Sequence, residues 1–397
     1  MKKISFLLVM VSLLWMLPVR AQQQDKLLQT LKSELEYSFS ELKKRELPPY
    51  YMNLRASDSY NVTISSNFGA MRSSNEKRTR LLVPQIRLGS PELDNFKYST
   101  SGAMVNRRTG AVMGGSYLPL DDSAADAIRQ AIWVDVLNRY DFACFMYEKT
   151  KTQAAVSVED EDKSSCFSKS PVEKYYEEPI PVGLSSVDMD AWEKRLNEIS
   201  AVFRANSNLQ EGSATFTFNT LRTYFVNTDG SEIVQLCVTA RLMLLASLKA
   251  EDGMNLSLSQ DFFAYNPNDL PDNSIIIAAA KDMLQRLEKL EKAPVADPYT
   301  GPAILSGPAS GVFFHEIFGH RLEGHRLKTG GQTFKKMVGE QVLPESFQVY
   351  CDPTLSNYAG TDLNGHYLYD DEGVKARRVN NVVNGVLTEF LMNRVPL

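Results

Sequence analysis

Apolar residues recur along this 397-residue chain with two different periods, which predict helices in some segments and strands in others. Where apolar side chains return every three or four positions, the spacing matches one face of an α-helix. Where apolar and polar residues alternate, or a short apolar run is bounded by turn residues, the pattern predicts a β-strand. The predicted helices cover residues 25–45, 121–147, 188–206 and 273–291, with one more around residues 313–320, and the predicted strands cover residues 60–65, 80–89, 215–226 and 232–245.

Two turns are predicted between these strands. Asn227 and Gly230 bound a four-residue turn signal, and this signal between two strand patterns predicts a β-hairpin. The second arm of this hairpin is unusually apolar, so we expect it in the core of a sheet. Serine and asparagine at residues 73–76 predict the other turn, between the two earlier strands.

Helices and strands are segregated along the chain more than they alternate, which favours an α+β fold over a doubly wound sheet. We expect an N-terminal domain of mixed helix and sheet, followed by a β-rich domain. The predicted regions are a signal segment at residues 1–21, an N-terminal α/β region at 22–186, a middle region of helix and hairpin at 187–292, and a domain that carries the candidate chemistry at 293–397.

The first 21 residues have the pattern of a secretory signal peptide. Lys2 and Lys3 precede an apolar run at residues 4–17, and small residues at 19 and 21 stand where a signal peptidase cleaves. The apolar run is shorter than the roughly 20 residues that span a membrane. We therefore expect an exported protein, periplasmic or extracellular, with no stable membrane anchor.

Composition limits the classes of partner. Hydrophobic residues make up 43% of the chain and charged residues 23%, as in globular proteins that bury a large core. A net charge of −5 gives no basic footprint for nucleic acid. An acidic run at residues 159–162 is expected to be a solvated loop. The four widely spaced cysteines could form up to two disulfides in an oxidising compartment, or be buried as apolar residues.

The candidate chemistry lies in one short segment. All four histidines of the chain fall between residues 315 and 366, and His315, Glu316 and His320 form a His-Glu-x-x-x-His pattern. Histidine is the commonest metal ligand. In the related His-Glu-x-x-His signature, two imidazoles hold zinc and the glutamate acts on a water molecule. The pattern therefore predicts a metal site.

The spacing of this pattern is unusual. Histidines four residues apart lie about 40° apart around a helix, whereas His315 and His320 would lie roughly 140° apart. One inserted residue, a π-bulge, would turn the two side chains toward each other, and Gly319 would leave room between them. The opposite side of this helix should pack against the core, because it carries only apolar residues: Phe313, Phe314, Ile317 and Phe318.

The segment around these histidines resembles the TldD/PmbA family of metallopeptidases, once called modulators of DNA gyrase. The resemblance is carried by residues 299–324, which read YTGPAILSGPASGVFFHEIFGHRLEG, and by residues 370–374, which read DDEGV. It covers about residues 215–397 well. It implies that His315 and His320 bind zinc, that Glu316 is the general base, and that short or unfolded peptides are cleaved while held as an added β-strand.

The resemblance also implies a third metal ligand, a cysteine near the C-terminus of family members in a part that this chain does not reach. We therefore expect a chain that is incomplete within its catalytic domain. The third ligand would be a residue beyond 397 or one of Glu323, His325, Cys351 and His366. Glu323 has the most favourable position, three residues after His320 on the same helical face.

The sequence thus predicts an exported zinc-dependent peptidase that hydrolyses short or unfolded peptides, with a zinc-activated water and Glu316 as base. The alternative is a non-catalytic metal-binding or partner subunit of a two-chain protease. Because family members associate as dimers, the resemblance implies a homodimer or a heterodimer with a related subunit under either interpretation. Nucleic acid is not an expected partner.

Overall fold

Two long β-hairpins and the helices packed on them account for most of the elements in this protein. The computed structural model describes residues 25–97, 104–105, 112–113, 115–156, 164–181, 186–328 and 333–395. The helices are α1 (Lys26–Leu42), α2 (Ala125–Val156), α3 (Met189–Ser200), α4 (Asn273–Glu291), α5 (Gly307–Ile317) and α6 (Gly324–Lys328). The strands are β1 (Pro49–Asn67), β2 (Ala70–Leu88), β3 (Met104–Val105), β4 (Val112–Met113), β5 (Ser116–Tyr117), β6 (Lys174–Tyr176), β7 (Leu209–Asn227), β8 (Glu232–Lys249), β9 (Asn255–Ala264), β10 (Val349–Cys351), β11 (Asn357–Tyr358), β12 (Thr361–Asp362), β13 (Val379–Val383) and β14 (Val386–Leu387).

The two hairpins join side by side in one seven-stranded sheet. β1 pairs with β2 and β7 with β8, and β1 also pairs with β7, so the strand order is β5-β2-β1-β7-β8-β6, with β9 on β8. The pairing of β1 with β7 runs from Asn53 opposite Asn227 to Asn67 opposite Ser213. Helices and strands are thus segregated, and the predicted α+β fold is confirmed.

Helices α1 to α4 cover one face of this sheet. Side chains alternate between the two faces of a strand, so even-numbered residues of β1 share a face. Those residues enter both large clusters of buried apolar side chains, with Leu54 packed beside α1 and α2 and Ile64 beside α3 and α4. The odd-numbered residues on the opposite face, from Asn53 to Asn67, are all polar or charged. We call that side the helix-free face.

The four long predicted helices and the second hairpin are confirmed, with small changes at their ends. The turn predicted at residues 73–76 is wrong, because those residues lie inside β2. The chain turns instead at Phe68 and Gly69, which have φ angles of 47° and 77°. Glycine reaches this left-handed region without strain. The serines and asparagine lie on an exposed stretch of strand, where polar residues face solvent.

A segment at residues 352–374, the arm, crosses one end of the helix-free face. Tyr369 packs against Phe225 and Ile233 of the sheet, and its carbonyl accepts a hydrogen bond of 2.8 Å from the Gln235 side chain. Gly373 has a φ of 74°, and a Cβ on it would lie 2.4 Å from the Phe225 ring. Only glycine therefore fits where the arm meets the sheet.

Arg394 fastens the segment that follows the arm to the body of the protein. Its side chain is 3% exposed and donates hydrogen bonds to the Ser168 carbonyl, at 2.8 and 3.0 Å, and to Asp229, at 3.1 Å. Its guanidinium lies 3.9 Å from the ring centre of Phe167, and the Arg87 guanidinium lies 3.8 Å from the same ring. Three segments distant in sequence therefore meet at one buried cationic and aromatic cluster.

Several sequence predictions are not tested by the fold. The signal segment at residues 1–21 and the acidic run at 159–162 lie outside the described residues. The region boundaries at 186/187 and 292/293 stay predictions, although strands of the first two regions share one sheet. All four cysteines are free, so neither disulfide is formed. Within the described ranges, no helix combines the length and the apolar character needed to cross a membrane.

Candidate metal centre

The two histidines of the His-Glu-x-x-x-His pattern lie on either side of a helix end. Helix α5 begins at Gly307, carries Pro308 in its first turn and ends at Ile317. Phe318 caps the helix with a φ of −116°, still in the right-handed region, and its N–H donates to the Phe314 carbonyl at 3.0 Å. Residues Gly319–Leu322 then form a 3-10 turn. The chain axis therefore changes between His315 and His320.

This change of axis brings the two imidazoles together. Their ring centres are 4.5 Å apart, with the rings inclined at 67°. The Glu316 carboxylate lies between them, 3.9 Å from Nε2 of His315 and 3.7 Å from Nε2 of His320. The predicted π-bulge is wrong for this segment, because helix termination and a tighter 3-10 turn produce the convergence instead.

His315, Glu316 and His320 can each offer a ligand atom, and these atoms lie within 4.8 Å of one another. Two nitrogens bound to one zinc at about 2.1 Å can be at most about 4.2 Å apart, so the donors must close by a small amount. The side chains of His315 and Glu316 are 63% and 62% exposed, so they can rotate at little energetic cost. Within the described residues this is the one group of three such donors, and its donor types fit a divalent metal ion.

Glu323 holds His320 by its other ring nitrogen. Its Oε1 lies 2.5 Å from Nδ1 of His320, and its Oε2 accepts a hydrogen bond of 2.6 Å from Arg326. Burial alone would raise the pKa of the Glu323 carboxyl, but the hydrogen bonds from Arg326 and His320 bring this pKa below its usual value. These contacts occupy Nδ1 of His320, which Nη2 of Arg326 also approaches at 3.1 Å, and they leave Nε2 as the ring nitrogen available to a metal.

Comparisons with known proteins address the same part of the chain. Residues 298–396 match the family model of the PmbA/TldA metallopeptidase C-terminal domain. A protein of Archaeoglobus fulgidus named "Metalloprotease" is 33% identical over 115 residues, which are 29% of this chain and 26% of that protein. A second metalloprotease, from Methanocaldococcus jannaschii, is 29% identical over 171 residues, 43% of this chain and 36% of that protein. The matched part of the chain, residues 298–396, therefore belongs to the TldD/PmbA family.

Solved structures extend the likeness to the fold of nearly the whole chain. A candidate modulator of DNA gyrase from Thermotoga maritima gives a TM-score of 0.56 at 14% identity, over 91% of this chain and 71% of that one. TldE from Thermococcus kodakarensis gives a TM-score of 0.54 at 16% identity, over 91% and 69%. At such identities the likeness shows the fold alone. The curated relatives match over only about a quarter to a third of their own length.

Membership of the TldD/PmbA family implies a metal ion, and the structure places the predicted metal and base residues in one group. The four alternative third ligands do not join this group. Glu323 is on the far nitrogen of His320, and His325 lies beyond it, with Nε2 3.8 Å from Glu323 Oε2. Nδ1 of His366 donates to the Pro353 carbonyl at 2.8 Å, and Cys351 lies on β10. The roles of His315, Glu316 and His320 stay predictions.

The apolar side of α5 is only partly packed. Phe314 and Phe318 contact a small apolar cluster together with Leu322, Phe334 and other residues of the C-terminal region. Phe313 and Ile317, however, are 51% and 44% exposed, so the prediction that all four residues pack inward is wrong for these two. The helix touches the cluster through its C-terminal end only, and α5 itself has no buried residue.

Two cavities were missed by the sequence reasoning, and neither includes His315, Glu316 or His320. The larger, of about 1010 Å³, lies between the helix-free face and the arm, and the smaller, of about 600 Å³, lies between the arm and the C-terminal strands. Residues 370–373 form a turn in which Asp370 and Glu372 are half-buried and line the larger cavity.

Proposed function

We propose that this protein is an exported zinc-dependent peptidase that hydrolyses short or unfolded peptides. The observation that carries the proposal is the convergence of His315, Glu316 and His320 at the end of α5, where they are open to solvent. Family membership and the names of the curated relatives support a metalloprotease. Export is proposed from the N-terminal sequence pattern, and a dimer with a second copy or a related chain is proposed from the family.

Each residue of the group has a proposed task. Neutral imidazoles of His315 and His320 would hold the metal through Nε2, with His320 oriented by Glu323. Zinc, when bound, supplies a Lewis acid that acidifies water and polarises a peptide carbonyl. Glu316 takes a proton from the attacking water and passes it to the departing amine. Glu316 lies 3.9 and 3.7 Å from Nε2 of the two histidines. This position suits the transfer, because the base must reach both the water and the departing amine beside a metal held by these nitrogens.

The test compares the full-length protein with His315→Ala and Glu316→Gln. We expect about one zinc per chain in the parent and in Glu316→Gln, and little in His315→Ala, because only the last change removes a ligand. Hydrolysis of a fluorogenic unfolded protein should fall by at least about 100-fold in Glu316→Gln. Zinc content is measured by atomic emission. Retained hydrolysis in Glu316→Gln would refute its role as base, and a parent without zinc would refute the zinc site.

A second candidate function is a non-catalytic, metal-binding subunit of a two-chain protease. This function is favoured by the composition of the group, which offers only three donors within the described residues. If Glu316 is the third metal ligand, it cannot also act as the base. Mixing the purified chain with a related family member decides between the two functions. Hydrolysis by the chain alone supports the peptidase, whereas hydrolysis that appears only in the mixture, and survives Glu316→Gln in this chain, supports the subunit.

A further inference from the structure

The two cavities adjoin. Tyr367 and Asp370 belong to the lining of both, so the two cavities meet at these residues. The floor of the larger cavity is the helix-free face, through Leu221, Gln235 and other residues of β7 and β8. Together the cavities enclose space for several residues of an extended chain along the arm.

The smaller cavity reaches the segment that carries the metal centre. Leu391 lines this cavity, and its N–H donates to the Leu322 carbonyl at 2.8 Å while its carbonyl accepts from Gly324 N at 2.9 Å. Leu322 and Gly324 flank Glu323, the residue that holds His320. One end of the joined cavities is therefore separated from the histidine turn by a single layer of backbone.

The larger cavity is negatively charged. Glu177, Asp370, Asp371 and Glu372 line it, and of the described residues no lysine or arginine does. A cavity that combines carboxylates with apolar and tyrosine side chains is complementary to a ligand that carries a cationic group on an apolar stem. The side chains of lysine and arginine have that construction.

Three of these carboxylates already have partners on the protein. Glu177 accepts hydrogen bonds from the Tyr175 hydroxyl and from the backbone of Leu236, and Asp371 forms an ion pair with Arg55. The Glu372 side chain accepts a hydrogen bond of 2.7 Å from the backbone N–H of Arg394. These carboxylates contribute negative potential to the cavity, but their oxygens are already used in hydrogen bonds and an ion pair within the protein.

Asp370 is different. Its Oδ1 accepts hydrogen bonds from the backbone N–H groups of Glu372, at 2.9 Å, and Val374, at 2.8 Å, which fix the side chain. Its Oδ2 accepts no hydrogen bond from the described residues, and Asp370 lines both cavities. Tyr367, which also lines both cavities, is 45% exposed. A fixed carboxylate oxygen next to an accessible aromatic ring is suited to a cationic side chain.

We propose that the joined cavities form the substrate groove of the peptidase, and that Asp370, beside Tyr367, binds a lysine or arginine side chain of the peptide. The inference rests on the proposed peptidase function, since it names the class of peptide that the same protein cleaves. It adds a specificity-determining residue outside the His-Glu-His group.

Binding is measured in the full chain with Glu316→Gln, which blocks the proposed cleavage. Fluorescent peptides of equal length carry lysine, norleucine or glutamate at one position, and fluorescence anisotropy gives each Kd. We expect the lysine peptide to bind at least about tenfold more tightly than the norleucine peptide, because it gains a charge-assisted hydrogen bond. Asp370→Asn should abolish this preference and leave norleucine binding unchanged, and Tyr367→Leu should reduce the preference about threefold.

Asp252→Asn is the matched control, because Asp252 also accepts a backbone hydrogen bond two residues ahead, from Met254, but lies outside both cavities. It should leave the preference for lysine intact. The groove proposal would be overturned by any of three results: equal affinities for the three peptides in the parent, no binding of any peptide, or a preference that survives Asp370→Asn.

Hydrolysis by the chain with Glu316 intact is assayed separately. Cleavage without a preference for lysine refutes the groove proposal alone, and Asp370-dependent binding without cleavage refutes the peptidase proposal alone.

Discussion

Glu323 has a different place in the site from the one that its spacing predicts. The i, i+3 relation to His320 is real, but it brings the carboxylate to Nδ1 of the imidazole, and Arg326 holds the carboxylate from the other side. A residue that holds the second nitrogen of a ligating histidine fixes the ring orientation and increases its basicity. Glu323 therefore acts through His320 if a metal is bound.

We expect Glu323→Gln to raise the Kd for zinc by about tenfold or more, because the neutral amide is a weaker acceptor for the Nδ1 proton. Chelator competition measures this Kd. The visible spectrum of the cobalt-substituted protein should keep its form, since no ligand is lost.

Glu340→Gln, a change on the surface away from the histidines, serves as the control for the Glu323 variant. A changed cobalt spectrum in Glu323→Gln would identify Glu323 as a metal ligand. An unchanged affinity would show that it has no part in orienting His320.

The sequence could predict which residues form the candidate site, but not how they meet. His315, Glu316 and His320 stood out because every histidine of the chain is clustered. Their mutual geometry depended on whether the helix continued through them. Gly319 directly follows the helix cap, a position where glycine is common, so it indicated that the helix ends there. A helical wheel assumes a continuous helix and therefore misses this indication. Asp370 and Tyr367 gave no such signal, because the cavities arise from contacts between distant segments.

At the scale of elements, the end of α5 determines the geometry of the candidate metal centre. Phe318 is 5% exposed and contacts the rings of Phe314 and Phe334, with centres 5.1 and 5.4 Å away. It is also the residue at which the helix ends, so its packing anchors the 3-10 turn that carries His320. Phe313, five residues earlier, is half exposed and has no such role.

Phe318→Ala should therefore reduce the free energy of unfolding of the C-terminal region by about 3 kcal/mol, through lost burial and a cavity. It should also weaken zinc binding, because His320 is no longer held beside His315. Phe313→Ala, the matched control on the same helix, should change stability by less than about 0.5 kcal/mol. Urea unfolding and zinc titration of both variants check this. Equal zinc affinities would show that the packed helix end does not position the site.

For elements, the periodic patterns were sufficient where burial is one-sided. In β1, Val62 and Ile64 are buried as the alternation at residues 60–65 predicts, and β8, the apolar second strand of the later hairpin, lies inside the sheet between β7 and β9 as expected. Patterns failed where a segment is apolar without being buried, as at Phe313 and Ile317, since periodicity identifies an apolar face but not what covers it. The turn prediction at the Ser-rich stretch of β2 was wrong because an exposed strand and a turn have similar polar compositions.

At the scale of the whole molecule, the C-terminal segment is attached to the sheet by a few specific contacts. Arg394 connects it to Ser168 and Asp229, and Gly373 allows the arm to approach Phe225. These contacts join residues more than 140 positions apart, so no local pattern could predict them. They also fix the wall of the larger cavity, through Glu372.

We expect Arg394→Ala to lower the free energy of unfolding by about 3 kcal/mol, because it leaves Asp229 and the Ser168 carbonyl without their buried partner. Amide hydrogen exchange should then increase along residues 352–374. Arg377→Ala removes an exposed ion pair with Glu389 and should cost less than about 1 kcal/mol. Unchanged exchange in the arm of Arg394→Ala would show that other contacts suffice to hold it.

The pairing of β1 with β7 has a consequence for how the protein is made. Asn67 pairs with Ser213, so every residue of β1 in this pairing is synthesised at least 146 residues before its partner in β7. At ribosomal rates of about 5–20 residues per second, the edge of β1 waits about 7–30 s for its partner. An unpaired strand edge can form hydrogen bonds with other chains and so aggregate, and polar residues reduce this tendency. The serines, threonine and asparagines on one side of β1 give the nascent hairpin a hydrophilic surface during that interval, and we expect this surface to reduce aggregation before the sheet is complete.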